Sequence, residues 1–363
     1  MKNKKSKAYE KQSIGAKVSV NNFYDRFSMT ENRNTNSHNR EFNSNASYYE
    51  EVYDSKWKDL RDKKYKSYRK LWHEIPKFKK TTDFPLHLDI ETTTICNLLC
   101  PMCPRTVHLA NESFGELGYL TKKEYKNIID QAVENDCKSI KLNYLGEPLA
   151  HKDIIWQVKY AKEMGILDVM FNTNASLLTK EKSKALLEAG LDNLFISFDA
   201  VDPLEFSIQR KGTTIGKVID NIFNFVLIRN KIRPSCQIRL SMVMYKEEEW
   251  QKQFESLKTM WASHVDALGW GYYIDRDTTN SIYYSEVNGY HCAQPFQRMF
   301  LKYNGNVTIC CNDDKDETVV GNWRKGKLKD FWHNKKYKEI RELHSSGNYY
   351  KMEMCKKCYF PHC

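Results

Sequence analysis

The 363-residue chain has no apolar run approaching the roughly 18 residues of a membrane-spanning helix, so no span is expected. Its start is basic, but no apolar stretch follows, and a secretory signal is not expected either. Past residue 80 it also lacks a surplus of either charge. Residues 1–80 hold 20 Lys and Arg against 10 Asp and Glu, which accounts for +10 of the total +11. The remainder is nearly neutral and makes no overall electrostatic case for nucleic acid. Eleven cysteines without an export signal fit a reducing cytoplasm, where clustered Cys serve metals more often than disulfides.

What is present divides into three stretches. Residues 1–83 form a basic, polar extension rich in Lys, Asn, Ser and Tyr, expected to be partly disordered. A helix is expected over residues 48–75, with Trp57, Leu60, Tyr65, Tyr68 and Leu71 as its apolar contacts. The plain reading of this extension is a solubilising tail plus a packing helix; the alternative is a basic docking arm. From Phe84 to about residue 285, β-like runs alternate with helical ones. The expected strands are 86–91, 139–145, 168–172, 193–198, 237–243 and 265–270. Helices are expected from Thr121, where Thr121-Lys-Lys-Glu124 reads as a capping box, after His151 up to Gly165, and over 179–190, 215–230 and 246–260. Repeated strand–helix units imply parallel strands with right-handed crossovers. Six units predict an α/β fold, a partial (β/α)6 TIM-like barrel whose ligands sit at the C-terminal strand ends. Residues 286–363 break this rhythm and form a small, cysteine-rich C-terminal domain.

The most telling run is Cys96-Asn-Leu-Leu-Cys100-Pro-Met-Cys103, spaced C-x3-C-x2-C, directly after the first strand. Three thiolates on one loop can hold three irons of a cubane cluster and leave the fourth without a protein ligand, a position open for chemistry. A zinc knuckle is the alternative, but zinc pairs C-x2-C with a second pair or with His, and no fourth Cys lies nearby. The loop resembles that of the radical S-adenosylmethionine (SAM) superfamily. The resemblance implies a 4Fe–4S cluster whose open iron chelates SAM, reductive cleavage of SAM, and abstraction of a substrate hydrogen by the adenosyl radical. Met102 departs from the aromatic residue that many members place before the third Cys; methionine is polarizable and fills similar space.

Strand-end motifs extend the resemblance. Leu145-Gly146-Glu147-Pro148 is similar to the family's Gly-Gly-Glu-Pro motif, which implies that Glu147 accepts hydrogen bonds from the SAM ammonium. Phe171-Asn172-Thr173-Asn174 offers Asn172 toward the ribose, Ser197 in Ser197-Phe198-Asp199 resembles a SAM contact, and Arg210 matches an arginine that reaches the SAM carboxylate. Each of these polar residues could instead serve as a turn or cap.

The C-terminal spacing, Cys292-x12-Gly305-x4-Cys310 followed by Cys355-x2-Cys358, resembles the SPASM/twitch extension that holds auxiliary clusters. It implies one auxiliary 4Fe–4S cluster on Cys292, Cys310, Cys355 and Cys358. Cys311 is the competitor of Cys310, Cys363 is expected to be a free thiol, and a structural zinc on the same four residues is the alternative. Cys137 and Cys236 read as buried structural thiols. Tyr272, Tyr273, Asp275 and Arg276 could line a substrate pocket or be ordinary loop residues.

The short auxiliary motif resembles the subgroup containing the radical SAM dehydrogenase of 2-deoxy-scyllo-inosamine. This implies an oxidoreductase that dehydrogenates a sugar-like or amino-sugar alcohol and passes an electron to the auxiliary cluster. It would work with a flavodoxin- or ferredoxin-like reductant, a small-molecule substrate and no membrane or nucleic acid partner. A SPASM-type peptide-modifying maturase is the second expectation, weakened because residues 1–83 lack the strand alternation of a peptide-recognition domain. A catalytically silent metal-binding scaffold is the third. No residue is singled out as the catalytic base.

Overall fold

The computed structural model describes residues 48–245, 248–273, 290–356 and 358. Six parallel strands run in chain order across one curved sheet: β2 (His87–Ile90), β3 (Ser139–Lys141), β4 (Asp168–Thr173), β5 (Asn193–Ser197), β6 (Gln237–Met244) and β7 (Ala267–Tyr272). They fall on the six expected segments. The helix after β2 is α2 (Pro104–Ala110), and α3 (Lys122–Glu134), α4 (Ile154–Glu163), α5 (Lys180–Glu188), α7 (Ile215–Ile232) and α8 (Glu248–Trp261) join the later strands, with the short α6 (Pro203–Gln209) before α7. α3, α5 and α6 begin at side-chain caps, where Thr121, Thr179 and Asp202 accept backbone N–H groups. At α3, Thr121 Oγ1 accepts the Glu124 N–H at 3.2 Å while Glu124 Oε2 accepts the Thr121 N–H at 2.9 Å, so the capping box is complete.

Side chains alternate across the strands. On β6, Ile238, Leu240, Met242 and Met244 are buried, whereas Arg239, Ser241 and Val243 are half-buried on the opposite, inner face. Register continues that inner face through Asn172, Phe195, Ser197, Arg239 and Ser241. The inner face of a barrel is therefore partly polar here.

The sheet does not close. With β1 (Tyr48–Val52), β8 (Arg298–Leu301), β9 (Asn306–Thr308) and β10 (Gly321–Asn322), its full order among the described residues is β1-β7-β6-β5-β4-β3-β2-β8-β9-β10. The cysteine-rich C-terminal segment joins the same sheet: β8 lies parallel to β2, and β9 and β10 follow antiparallel.

The expectation of one helix over 48–75 needs correction. Tyr48–Val52 is strand β1, antiparallel to β7, a short 3-10 turn covers Lys56–Lys58, and helix α1 runs Lys63–Lys77. Three charged residues in Asp59-Leu60-Arg61-Asp62 interrupt the helix, and Asp62 caps α1 by accepting the Tyr65 N–H at 2.7 Å. The segment lies against the N-terminal ends of the barrel strands. Arg61 donates to Ser235 O at 2.9 Å and pairs with Asp168 at 3.3 Å and Asp192 at 3.1 Å. Tyr68 Oη meets Ser139 Oγ at 2.8 Å, and Trp72 sits edge-on to His87. Trp57, Tyr65, Tyr68, Ile75, Leu86 and Phe296 form a buried cluster there, each contributing roughly 2–3 kcal/mol of apolar burial. Residues 1–47 lie outside the described residues.

Candidate functional site

The cysteine loop leaves the C-terminal end of β2. Cys100 is buried, and Cys96 and Cys103 are half-buried. Several groups fix the loop. Arg105, at the start of α2, donates from Nε to Thr94 O at 2.7 Å, and Leu99 N–H donates to Lys211 O at 2.9 Å. Donors also converge on the sulfurs: Leu98 N–H at 3.5 Å and Asn174 Nδ2 at 4.0 Å reach Cys96, and Arg210 Nη1 at 3.8 Å reaches Cys100. Burial pushes the Cys96 thiol up to about 11 and also raises Cys100, so metal ligation there must release protons.

Glu147 follows β3 and reaches into the same region. The backbone makes its position nearly obligatory. Gly146 packs so close to the first loop that a Cβ would lie 2.1 Å from Thr93 O, and Glu147 N–H donates to Ile95 O at 2.8 Å. The Glu147 carboxylate is buried. Oε1 accepts from Thr173 Oγ1 at 2.7 Å and Leu149 N–H at 3.0 Å, and Oε2 accepts from Asn174 N–H at 2.9 Å. A carboxylate has about four lone-pair sites. Three are filled by the protein, which leaves one for an incoming donor such as an ammonium. Burial raises this carboxyl; the three hydrogen bonds and Arg210 oppose that rise.

Asn172, at the end of β4, is half-buried, and its Oδ1 is shut off from solvent without a hydrogen-bond partner. Such an orphan calls for a ligand group. Ser197 lies half-buried on the same inner face at the end of β5, opposite Ser241. Arg210 is engaged within the protein: its guanidinium pairs with Asp199, whose Oδ1 accepts the Val243 N–H at 2.9 Å.

The C-terminal cysteines converge independently. Cys292, Cys310, Cys355 and Cys358 line one cavity of ≈ 860 Å³ of empty space that opens to solvent. Cys311 does not line it. That thiol instead meets the fields of Lys141, Asp89 and Arg298, and a hydrogen bond between the neighbouring thiols pushes Cys310 up and Cys311 down. Backbone N–H groups reach two of the four sulfurs, Gln294 to Cys292 at 3.4 Å and Asn312 to Cys310 at 3.3 Å. Among the described residues, no three His, Cys, Asp or Glu side chains converge on a single-ion site. Cys363, Asp275 and Arg276 lie outside the described residues, as does the expected boundary at 285/286. Tyr273 packs its ring on Tyr245 at 5.1 Å. Cys137 and Cys236 are buried, and burial pushes both up to about 12.

Sequence reasoning missed several residues that tie these parts together. Glu91 is buried at the end of β2 and accepts N–H groups from Leu145 at 3.2 Å and Tyr303 at 3.0 Å, so one carboxylate joins the Glu147 loop to the turn after β8. His108 on α2 pairs with Asp314 at 2.9 Å, which links the helix after Cys103 to the loop after Cys310. His344 lies beside Cys355. Only Glu91, the last residue before the cysteine-loop segment, carried a positional hint.

The profile of the radical SAM superfamily matches residues 90–250, and that of the SPASM iron–sulfur cluster-binding domain matches 292–359. Residues 90–250 thus carry a radical SAM domain and residues 292–359 a SPASM iron–sulfur cluster-binding domain. These two domains imply a SAM-binding 4Fe–4S cluster, auxiliary iron–sulfur ligation and SAM. The PqqA peptide cyclase of Bradyrhizobium diazoefficiens is 35% identical over 123 residues, which cover 34% of this chain and 31% of that protein. A GTP 3',8-cyclase of Limosilactobacillus fermentum is 32% identical over 161 residues, 44% of this chain and 46% of that one. The chain thus spans only a third to a half of these curated relatives. Among solved structures, BtrN in complex with AdoMet and 2-DOIA shares the fold with a TM-score of 0.50 at 19% identity, covering 77% of this chain and 94% of BtrN. No helix among the described residues is long and apolar enough to cross a membrane.

Proposed function

We propose that this radical SAM chain dehydrogenates a sugar-like or amino-sugar alcohol. In this reading Cys96, Cys100 and Cys103 hold the SAM-binding cluster, and Glu147, Asn172, Ser197 and Arg210 form the SAM contacts. Cys292, Cys310, Cys355 and Cys358 hold the auxiliary cluster. Residues 84–285 are assigned to the radical core and 286–363 to the auxiliary domain. The observation that carries the proposal is the shared cavity of the four C-terminal cysteines, because four thiolates leave no open coordination position and suit a group that only passes electrons.

When bound, the SAM-loaded cluster supplies a one-electron cleavage that yields a carbon radical able to abstract hydrogen. The chain's own residues do the rest. Glu147 offers its remaining lone pair to the SAM ammonium, and the orphan Asn172 Oδ1 takes a ribose hydroxyl. Arg210, held by Asp199 and 3.8 Å from Cys100 Sγ, would take the SAM carboxylate. Ser197 and Ser241 on the inner face are available to hydroxyl groups of a polar substrate, beside Arg239, which pairs with Glu50 at 2.8 Å. The alcohol carbon loses one hydrogen atom to the radical; its hydroxyl oxygen then loses a proton to solvent or a base, and the remaining electron would pass to the group held by the four C-terminal cysteines, which leaves a ketone. The electron for each SAM cleavage comes from a flavodoxin- or ferredoxin-like donor.

The test is anaerobic turnover with SAM, a flavodoxin system and candidate aminocyclitols. Equal amounts of 5′-deoxyadenosine and keto product are expected. Repeated SAM consumption with unchanged alcohol would refute the proposal. The similarity to a peptide cyclase supports a second reading, modification of a peptide side chain. Its signature is a peptide product two hydrogens lighter, with no turnover of aminocyclitols.

A further inference from the structure

His344 is the last buried position of α11 (Lys335–Ser345), on a stripe with Tyr337, Ile340 and Arg341 that faces the sheet. Spacing of that kind usually marks a core residue. Its ring, however, ends in the cavity of the C-terminal cysteines. The side chain is 1% exposed and stacks on Tyr349, with ring planes 21° apart.

The two ring nitrogens have different partners. Nδ1 lies 3.4 Å from the backbone N–H of Cys292, and Nε2 lies 3.6 Å from Cys355 Sγ. An amide N–H can only donate. Nδ1 must therefore be the acceptor and carry no proton, which leaves the ring proton on Nε2. That proton points at sulfur. Cys292 and Cys310 each receive a backbone N–H, so the histidine supplies to Cys355 what the main chain supplies to the other two.

We propose that His344 is a positioning and tuning residue of the auxiliary cluster. It donates an Nε2–H···S hydrogen bond to the Cys355 thiolate and thereby raises the cluster's reduction potential. The physical reason is direct. A donor aimed at a ligating sulfur stabilises negative charge, and the reduced cluster carries one more electron than the oxidised one. The inference rests on the reading that Cys355 and its three partners hold a cluster, and it adds that this cluster is biased toward accepting electrons.

The experiment uses the full chain with Cys96, Cys100 and Cys103 all replaced by Ala, so that any cluster present is the auxiliary one. About four irons per chain are expected. Absence of iron and sulfide would overturn the cluster reading and this inference with it. With the cluster present, EPR-monitored redox titration compares His344, His344→Leu and His344→Gln. Leu removes the donor, and Gln can place an amide N–H near the position of Nε2. We expect the Leu variant to bind its electron about tenfold less tightly, a shift of ~59 mV to lower potential, and the Gln variant to recover part of it. Equal potentials in all three overturn the proposal. If the Leu variant fails to keep its cluster, pulsed EPR on the parent with 15N-labelled histidine decides. A weak 15N coupling supports a hydrogen bond through the proton. No coupling, or the strong coupling of a directly ligating nitrogen, overturns it.

Discussion

Replacing Glu147 by Gln changes one atom and no volume, so its effect is a direct reading of the hydrogen bonds around the carboxylate. Three donors point at it: Thr173 Oγ1, Leu149 N–H and Asn174 N–H. A glutamine keeps one oxygen. The best arrangement puts that oxygen at the Oε1 position, where it serves Thr173 and Leu149, and turns the new NH2 against the Asn174 N–H. One charge-assisted hydrogen bond is lost, worth about 1.5–3 kcal/mol, and a buried backbone donor is left without an acceptor. The surviving bonds also lose their charge assistance. The total is about 3 kcal/mol, and at about 2 °C per kcal/mol for a chain of this size the melting temperature should fall by roughly 6 °C. Removing the charge also removes the partner of the SAM ammonium, so SAM affinity should drop roughly 10–100-fold. Thr173→Val separates the two effects. It deletes one donor to the carboxylate and the acceptor of the Ala175 N–H at 3.0 Å but keeps the charge, so it should cost about 2–4 kcal/mol and leave SAM affinity within about twofold. Differential scanning calorimetry on the metal-free chain and equilibrium dialysis of SAM on the reconstituted chain read them out. An unchanged melting temperature in the Gln variant would refute the assigned geometry. Equal SAM affinity in the Gln variant and the native chain would refute the role of Glu147.

Three further outcomes follow from the same geometry. The anaerobically reconstituted chain should hold about eight irons, Cys310→Ser should reduce this to about four, and Cys311→Ala should leave it unchanged, as checked by iron and sulfide assays. Gly146→Ala forces a Cβ against the Thr93 backbone, at 2.1 Å from its oxygen, and should cost about 1–3 kcal/mol in denaturant unfolding while weakening SAM binding. Arg61→Met should cost about 3–5 kcal/mol by leaving Asp168 buried without its cation, since Asp192 keeps Lys162 and Arg233. Burial already raises the Asp168 carboxyl, and removing Arg61 raises it further. The folded variant then binds a proton more readily than the unfolded chain, so its deficit is full at neutral pH and shrinks as the pH falls. Urea titrations at pH 7 and at about pH 5 test that sign.

The sequence by itself determined the six strand–helix units, because their apolar periodicities and caps are local. It also displayed the C-x3-C-x2-C run at 96–103 and the C-x2-C at 355–358, because each spacing is local to one short stretch. At Thr121 the capping box formed with both its reciprocal bonds, since it needs only residues three apart. Tertiary structure decided what depends on distant partners. Arg61 is one basic residue among 20 in residues 1–80, and only the fold places it on Asp168 and Asp192, turning part of a presumed tail into the base of the barrel. The strand at 48–52 exists because β7 offers an edge to pair with, which no local pattern encodes. Between Cys310 and Cys311 the sequence is silent, as adjacent side chains differ only in direction; the fold turns Cys310 to the cavity and Cys311 toward Lys141 and Asp89. His344 occupies an ordinary core position on its helix, and only the return of the chain through the 3-10 turn Tyr349–Lys351 brings a cysteine eleven residues away to its Nε2. Local hydrogen bonding and periodicity set the parts, and long-range packing set which of their polar groups meet.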